Sequence, residues 1–204
     1  MAPEPDPRPD AAPDTGPAVG PVTLRDGRLA LRLLTDDDVP VLTRACQDPD
    51  MHRWLTRLPD PYREDDARAF VAQTAASWQA GTELTFAITD AADGRLLGVC
   101  SLFDLKDVGH PAGASAELGY WVAAWERGRG VMTAAARLLC AWAFDELGVR
   151  RLEWQAEVGN QASRRVAEKV GFTVEGVCRQ RLVHLADSRR ADSWLGSLLP
   201  GELL

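Results

Sequence analysis

The chain has 204 residues, enough for one domain with a sizeable core, and a formal net charge of −7. That acidic balance argues against nonspecific nucleic-acid binding, which needs a basic surface. No apolar run approaches the roughly 20 residues that span a bilayer, and no basic segment followed by an apolar one opens the chain, so a cytoplasmic location with no membrane partner is expected.

Residues 1–21 are crowded with Pro, Asp, Ala and Gly and offer almost nothing that packs. They are expected to form a disordered tail, with one folded domain over 22–204. The tail sets Glu4, Asp6, Asp10 and Asp14 against Arg8, so it carries part of the negative charge. Cys46, Cys100, Cys140 and Cys178 are widely scattered among apolar neighbours, with no C-x-x-C pair and no His at ligand spacing. Buried free thiols and no metal site are expected.

The run from Arg28 to Leu34 alternates apolar and polar residues as a strand does. Thr35 then caps a helix through Asp36, Asp37 and Asp38, acids that suit a helix N-terminus, with Val39, Leu42, Thr43 and Cys46 as its inner face. From Asp48 to Tyr62 the chain is broken by Pro and reads as a loop with apolar anchors at Met51, Trp54 and Leu55. An amphipathic helix follows from Arg63 to Gln79. Glu83 to Thr89 and Arg95 to Leu105 form a hairpin across Asp93-Gly94, a strong turn signal.

After a loop from Lys106 to Gly113 comes a β-prone run from Ala116 to Val122, then the stretch Trp125-Glu126-Arg127-Gly128-Arg129-Gly130-Val131-Met132-Thr133, which opens about four turns of strong helix former. A strand therefore feeds a glycine-bearing loop that starts a helix. The first turn of a helix carries unpaired N–H groups and the positive end of the dipole, and glycines there admit an oxyanion close to the backbone. The mononucleotide pattern G-x-x-x-x-G-K is absent from the chain. A dinucleotide fingerprint from Gly128 would place its third small residue at Thr133 and its ribose acid at Glu153, near the start of a strand rather than its end.

Arg151 to Val158 reads as the next strand. Asn160 then caps a short helix through Ser163, with Ala162, Val166 and Val170 as its apolar stripe and Gly171-Phe172 as its stop. Val174 to Leu185 and Ala191 to Leu199 close the chain as two strands around Asp187-Ser188-Arg189.

Two of these patches, Arg127-x-x-Gly130-x-Met132 and Asn160-x-x-Ser163 with its Gly171-Phe172 end, occur in order about thirty residues apart. Together they resemble the GCN5-related N-acetyltransferases (GNAT), most nearly the ribosomal-protein branch of RimJ/RimL type. The loop departs from the usual pattern at its last position, where Met132 replaces Gly or Ala. The resemblance covers the chain from Arg28 onward. It implies an α+β fold, with a mostly antiparallel seven-stranded sheet splayed between its fourth and fifth strands and about four helices.

It also implies transfer of an acetyl group from acetyl-coenzyme A to a primary amine, with no metal. Backbone groups of Tyr120, Trp121 and Val122 would line the pantetheine arm. Arg127, Gly128, Arg129, Gly130, Val131, Met132 and Thr133 would hold the diphosphate, and Asn160 and Ser163 would sit beside the arm and its sulfur. Glu117 is the expected base, with His184 the second choice, and Ser163 the proton donor to the leaving thiolate. Some relatives carry a Glu on the sixth strand; the matching position here is Leu182, which puts a ribosomal acceptor in question. The expected partners are an amine-bearing acceptor, as a peptide N-terminus or a small molecule, and a homodimer is compatible. An acetyl-CoA-binding sensor without catalysis is the alternative, and a dinucleotide-dependent oxidoreductase a more distant one.

Overall fold

A computed structural model describes residues 20–204. The expected tail, 1–21, falls almost wholly outside the described residues. Eight strands form one sheet: β1 (Leu24–Arg25), β2 (Leu29–Arg32), β3 (Leu84–Asp90), β4 (Leu96–Lys106), β5 (Ala114–Val122), β6 (Val149–Glu157), β7 (Thr173–Val183) and β8 (Arg190–Leu198), in the order β1-β2-β3-β4-β5-β6-β8-β7. Five α-helices accompany it: α1 (Val39–Cys46), α2 (Pro49–Trp54), α3 (Glu64–Ala80), α4 (Val131–Asp145) and α5 (Gln161–Val170).

The expected count is corrected in two places. A two-residue β1 precedes the first expected strand, pairing Leu24 with Leu31, too short to show any alternation in sequence. The stretch Asp48 to Tyr62, expected as loop, contains α2. Asp48 caps it, accepting from the Asp50 amide, and Pro49 sits at its first helical position, where a missing N–H costs nothing. The Asp36–Asp38 segment forms a 3₁₀ turn ahead of α1, because Asp38 turns back to accept from the Thr35 amide at 2.9 Å and grips Arg32.

All sheet pairings are antiparallel except β5 with β6. That parallel ladder runs only from Ala114↔Val149 to Glu117↔Glu153. Beyond it the strands diverge: β5 stays with β4 as far as Gly98↔Val122, and β6 stays with β8 as far as Glu157↔Ser193. From Leu118 onward, the edge of β5 that faces β6 has no ladder partner.

Two apolar clusters clamp this sheet. In the larger, Leu118, Trp154, Tyr120 and Val122 pack with Ala135, Ala136 and Leu139 of α4 and Ala167 of α5. In the smaller, Leu42 of α1, Val71 of α3, Met51 of α2 and Trp121 pack together. Period-2 alternation thus sends Tyr120 and Trp121 to opposite faces of β5. At Gly119 an added Cβ would meet the Phe103 ring at 2.6 Å, so any larger residue there would displace that ring. Among the described residues no helix is long and apolar enough to cross a membrane.

Candidate active site

The gap between β5 and β6 opens into two adjoining cavities. One, of about 200 Å³, lies toward the start of α4 and is lined by Val122, Met132, Ala162 and Val166. The other, of about 520 Å³, lies toward α2 and α3 and is lined by Tyr62, Phe70, Phe103, Glu117, Gln155 and Glu157. Trp54, Leu55, Tyr120, Trp121, Asn160 and Ser163 border both. The divergence of two strands therefore joins one chamber to the other through a polar threshold.

At the far end of the smaller chamber, the chain turns into α4 through Gly128 and Gly130, both in the left-handed region at φ 76°. An added Cβ at either would meet nothing within 4 Å, so conformation rather than crowding demands glycine there. Among the described residues, no amide from Gly128 to Thr133 donates to a protein acceptor; the first α4 bond runs from the Ala134 amide to the Gly130 carbonyl at 3.1 Å. Six successive N–H groups thus stand at the positive end of a 15-residue helix.

The two arginines of the loop have other work. The Arg127 amide donates to the Ala124 carbonyl at 3.4 Å, and its guanidinium holds Asp48 and Asp50 at the start of α2. Arg129 joins Arg95 on the buried carboxylate of Glu126, at 3.2 Å for Arg129. The run of unbonded amides accordingly begins at Gly128, while Arg127, held by its two acids, also lines the smaller cavity. The acids that hold the two arginines lie far off in sequence, so spacing alone could not reveal them, apart from Glu126 one turn before Arg129.

Asn160 caps α5 by accepting from the Ser163 amide at 3.1 Å. The Ser163 hydroxyl accepts from the Trp154 indole N–H at 3.1 Å and donates to the Tyr120 phenol oxygen at 3.2 Å; that phenol donates to the Ser163 carbonyl at 2.9 Å. Burial pushes the Tyr120 phenol well above its ordinary pKa, so it stays protonated as a donor.

Glu117, Gln155 and Glu157 share the opposite face of the gap. Gln155 donates its amide to the Glu117 carboxylate at 2.9 Å. Burial raises the Glu117 carboxyl above its ordinary value, and the Gln155 hydrogen bond pulls it part of the way back. Glu117 has no ion-pair partner among the described residues. His184, the alternative base, is buried and bonded through Nε2 to Glu157 at 2.7 Å, with Arg189 bridging the same carboxylate at 2.8 Å. That engagement sets it behind Glu157, outside the residues that line the larger cavity. Sequence reasoning missed Trp154, Gln155 and Glu157, although alternation along β6 marks 155 and 157 as one face and 154 as the other.

The acetyltransferase (GNAT) domain family matches residues 28–173. The chain belongs to the GNAT acetyltransferases. It is 44% identical over 90 residues to YdaF of Bacillus subtilis (strain 168), a match spanning 44% of this chain and 47% of that protein. It is 29% identical over 117 residues to the ribosomal-protein-serine acetyltransferase of Escherichia coli (strain K12), covering 57% of this chain and 62% of the relative. A crystal structure of a probable acetyltransferase superposes with a TM-score of 0.76 at 30% identity, over 88% of this chain and 97% of its own. As a GNAT enzyme the chain is an acyltransferase that moves an acetyl group from acetyl-CoA to an amine. The dinucleotide reading falls with this: Glu153 sits mid-strand, holding Arg151 at 2.9 Å and facing Glu117 across the short parallel ladder.

Proposed function

We propose that this GNAT enzyme acetylates the α-amine of a protein or peptide, with the cofactor laid through the β5–β6 gap. The observation that carries the cofactor placement is the row of six unbonded amides from Gly128 to Thr133 at the mouth of the smaller cavity. A diphosphate seated there has backbone donors and the helix dipole to hold it. The residues present fit acetyl-CoA: an anion cradle, an open strand edge along Tyr120 to Val122, and a polar threshold at Asn160 and Ser163.

The acceptor amine enters from the larger cavity. An α-amine near pKa 8 costs about 1.4 kcal/mol to hold as free base at pH 7, against about 4.6 for a lysine near 10.4, so a single carboxylate suffices for the former. Glu117, alone among the cavity acids in lacking a cation or a cap, takes the amine proton directly or through water. The nitrogen lone pair then forms the C–N bond while the C–S pair leaves on sulfur. The Ser163 hydroxyl and Tyr120 phenol, one hydrogen-bonded pair, donate a proton to the departing thiolate, and the second proton shed by the acetylated nitrogen restores the pair through water. A backbone N–H near Tyr120 or Trp121 meets the carbonyl oxygen as charge develops.

The ribosomal relative supports a protein acceptor, and the cysteines Cys46, Cys100, Cys140 and Cys178, all free thiols, suit a reducing cytoplasm. Thiol release from acetyl-CoA with a panel of N-terminal peptides tests the reading. Turnover with α-amines and about two-hundredfold less with lysine side chains, roughly the ionisation difference, is expected; transfer to lysine alone would refute it.

A further inference from the structure

The larger cavity carries a second message, about the body to which the amine is attached. Its walls are aromatic: Trp54, Tyr62, Phe70, Phe103, Tyr120 and Trp121 all border it. They come from α2, α3, the loop between those helices, and strands β4 and β5, facing a β6 and β7 side that contributes Gln155, Glu157 and Leu182. At about 520 Å³ the space falls within the range of pockets that enclose a small organic ligand.

Its charged lining residues are Arg57, Asp66, Glu117 and Glu157. Asp66 is engaged in capping α3, accepting from the Arg63 amide at 2.8 Å. Glu157 is paired with Arg189 and hydrogen-bonded to His184. Glu117 alone is free of a salt-bridging cation or a cap among the acids bordering the cavity, and Gln155 donates to it there. One uncompensated carboxylate accommodates one ammonium. A second ammonium would find no free acid among the lining residues and would share the space with the Arg57 guanidinium, a like charge.

We propose that the acceptor is a monoamine whose amine-bearing carbon carries an apolar, aromatic-sized group, seated between Phe70, Phe103 and Tyr62 with its nitrogen toward Glu117. The proposal rests on the acetyltransferase reading above and narrows its acceptor. It disfavours polyamines and aminoglycosides, which carry several ammonium groups, and acceptors whose first residue is Ser or Gly, which leave the aromatic walls uncovered.

The test is thiol release from acetyl-CoA with phenylalaninamide, serinamide and spermidine, followed by tripeptides that begin with Phe or Ser. Phenylalaninamide or the Phe-led tripeptide is expected to exceed its Ser-bearing match in kcat/KM by about tenfold or more, the scale on which an apolar pocket discriminates. Reaction of the tripeptide alone would identify a chain N-terminus as the source, and equal reaction of the free amide a small metabolite. Serinamide or spermidine turning over as well as phenylalaninamide would overturn the proposal and leave acetyl transfer standing. No transfer to any amine, with acetyl-CoA still bound by calorimetry, would overturn both. In the wild-type background the panel is decisive by itself; Phe70→Ser, on the partly exposed face of α3, should bring the Phe-to-Ser ratio down toward one.

Discussion

The indole N–H of Trp154 lies 3.1 Å from the hydroxyl oxygen of Ser163. An indole nitrogen can only donate, so the serine must accept there and its own proton must point elsewhere, toward Tyr120. A buried tryptophan on β6 thereby fixes the direction of a hydroxyl on α5, at the threshold where the thioester sulfur is proposed to sit. Trp154→Phe keeps most of the ring volume and removes the donor. It should lower kcat by about tenfold, a fraction of the 10²–10⁴ credited to a full proton donor, and leave the KM for acetyl-CoA nearly unchanged. Steady-state kinetics with thermal melts separate this from a packing defect, in which Tm would fall and kcat for the folded fraction would hold.

Glu117 is expected to limit the acid side of the pH–rate profile. As a base it works only when ionised, so activity falls as pH drops through its raised pKa. Gln155 stabilises the ionised form by donating to it. Gln155→Leu removes that donor, raises the Glu117 pKa further, and should move the acid limb to higher pH with little loss at the plateau. Glu117→Gln should cost about 10²–10⁴ in kcat/KM and abolish the limb. A limb that stays in place in both variants would assign it to another group.

Much of this arrangement is legible in the chain itself. The strand, glycine loop and helix around Gly130, and the Asn160 to Phe172 helix, follow from local periodicity and capping, and the Asp93-Gly94 hairpin from turn chemistry, with the Gly94 amide donating to the Asp90 carbonyl at 2.9 Å. Helix α2 was obscured because six residues give too few turns for a periodic stripe, although Asp48-Pro49 carries the signal for its start. What spacing could not show is pairing across the fold. Arg127 meets Asp48 from 79 positions away, and Glu117 meets Gln155 from 38. Those contacts depend on the sheet order, which places β6 between β5 and β8 and leaves the gap open.

The Arg127 contacts yield a test of their own. Asp48→Asn with Asp50→Asn keeps the α2 cap geometry, removes two negative charges near the amide row, and frees the guanidinium. Affinity for coenzyme A should rise by up to about fivefold at low salt and lose that gain at high salt, as expected for exposed charges. Unchanged affinity at low salt would mean that Arg127 serves only to tie α2 to the loop.

The amide row from Gly128 to Thr133 is best tested by a pair of substitutions that differ in charge alone. Gly130→Asn and Gly130→Asp impose the same backbone strain at φ 76°, a region that Asn and Asp tolerate better than most residues, and neither Cβ meets an obstacle. Isothermal titration calorimetry with coenzyme A should find the Asp variant at least tenfold weaker than the Asn variant, since its carboxylate would face the diphosphate at close range. Equal affinity in the two variants would place the diphosphate elsewhere and contradict the site.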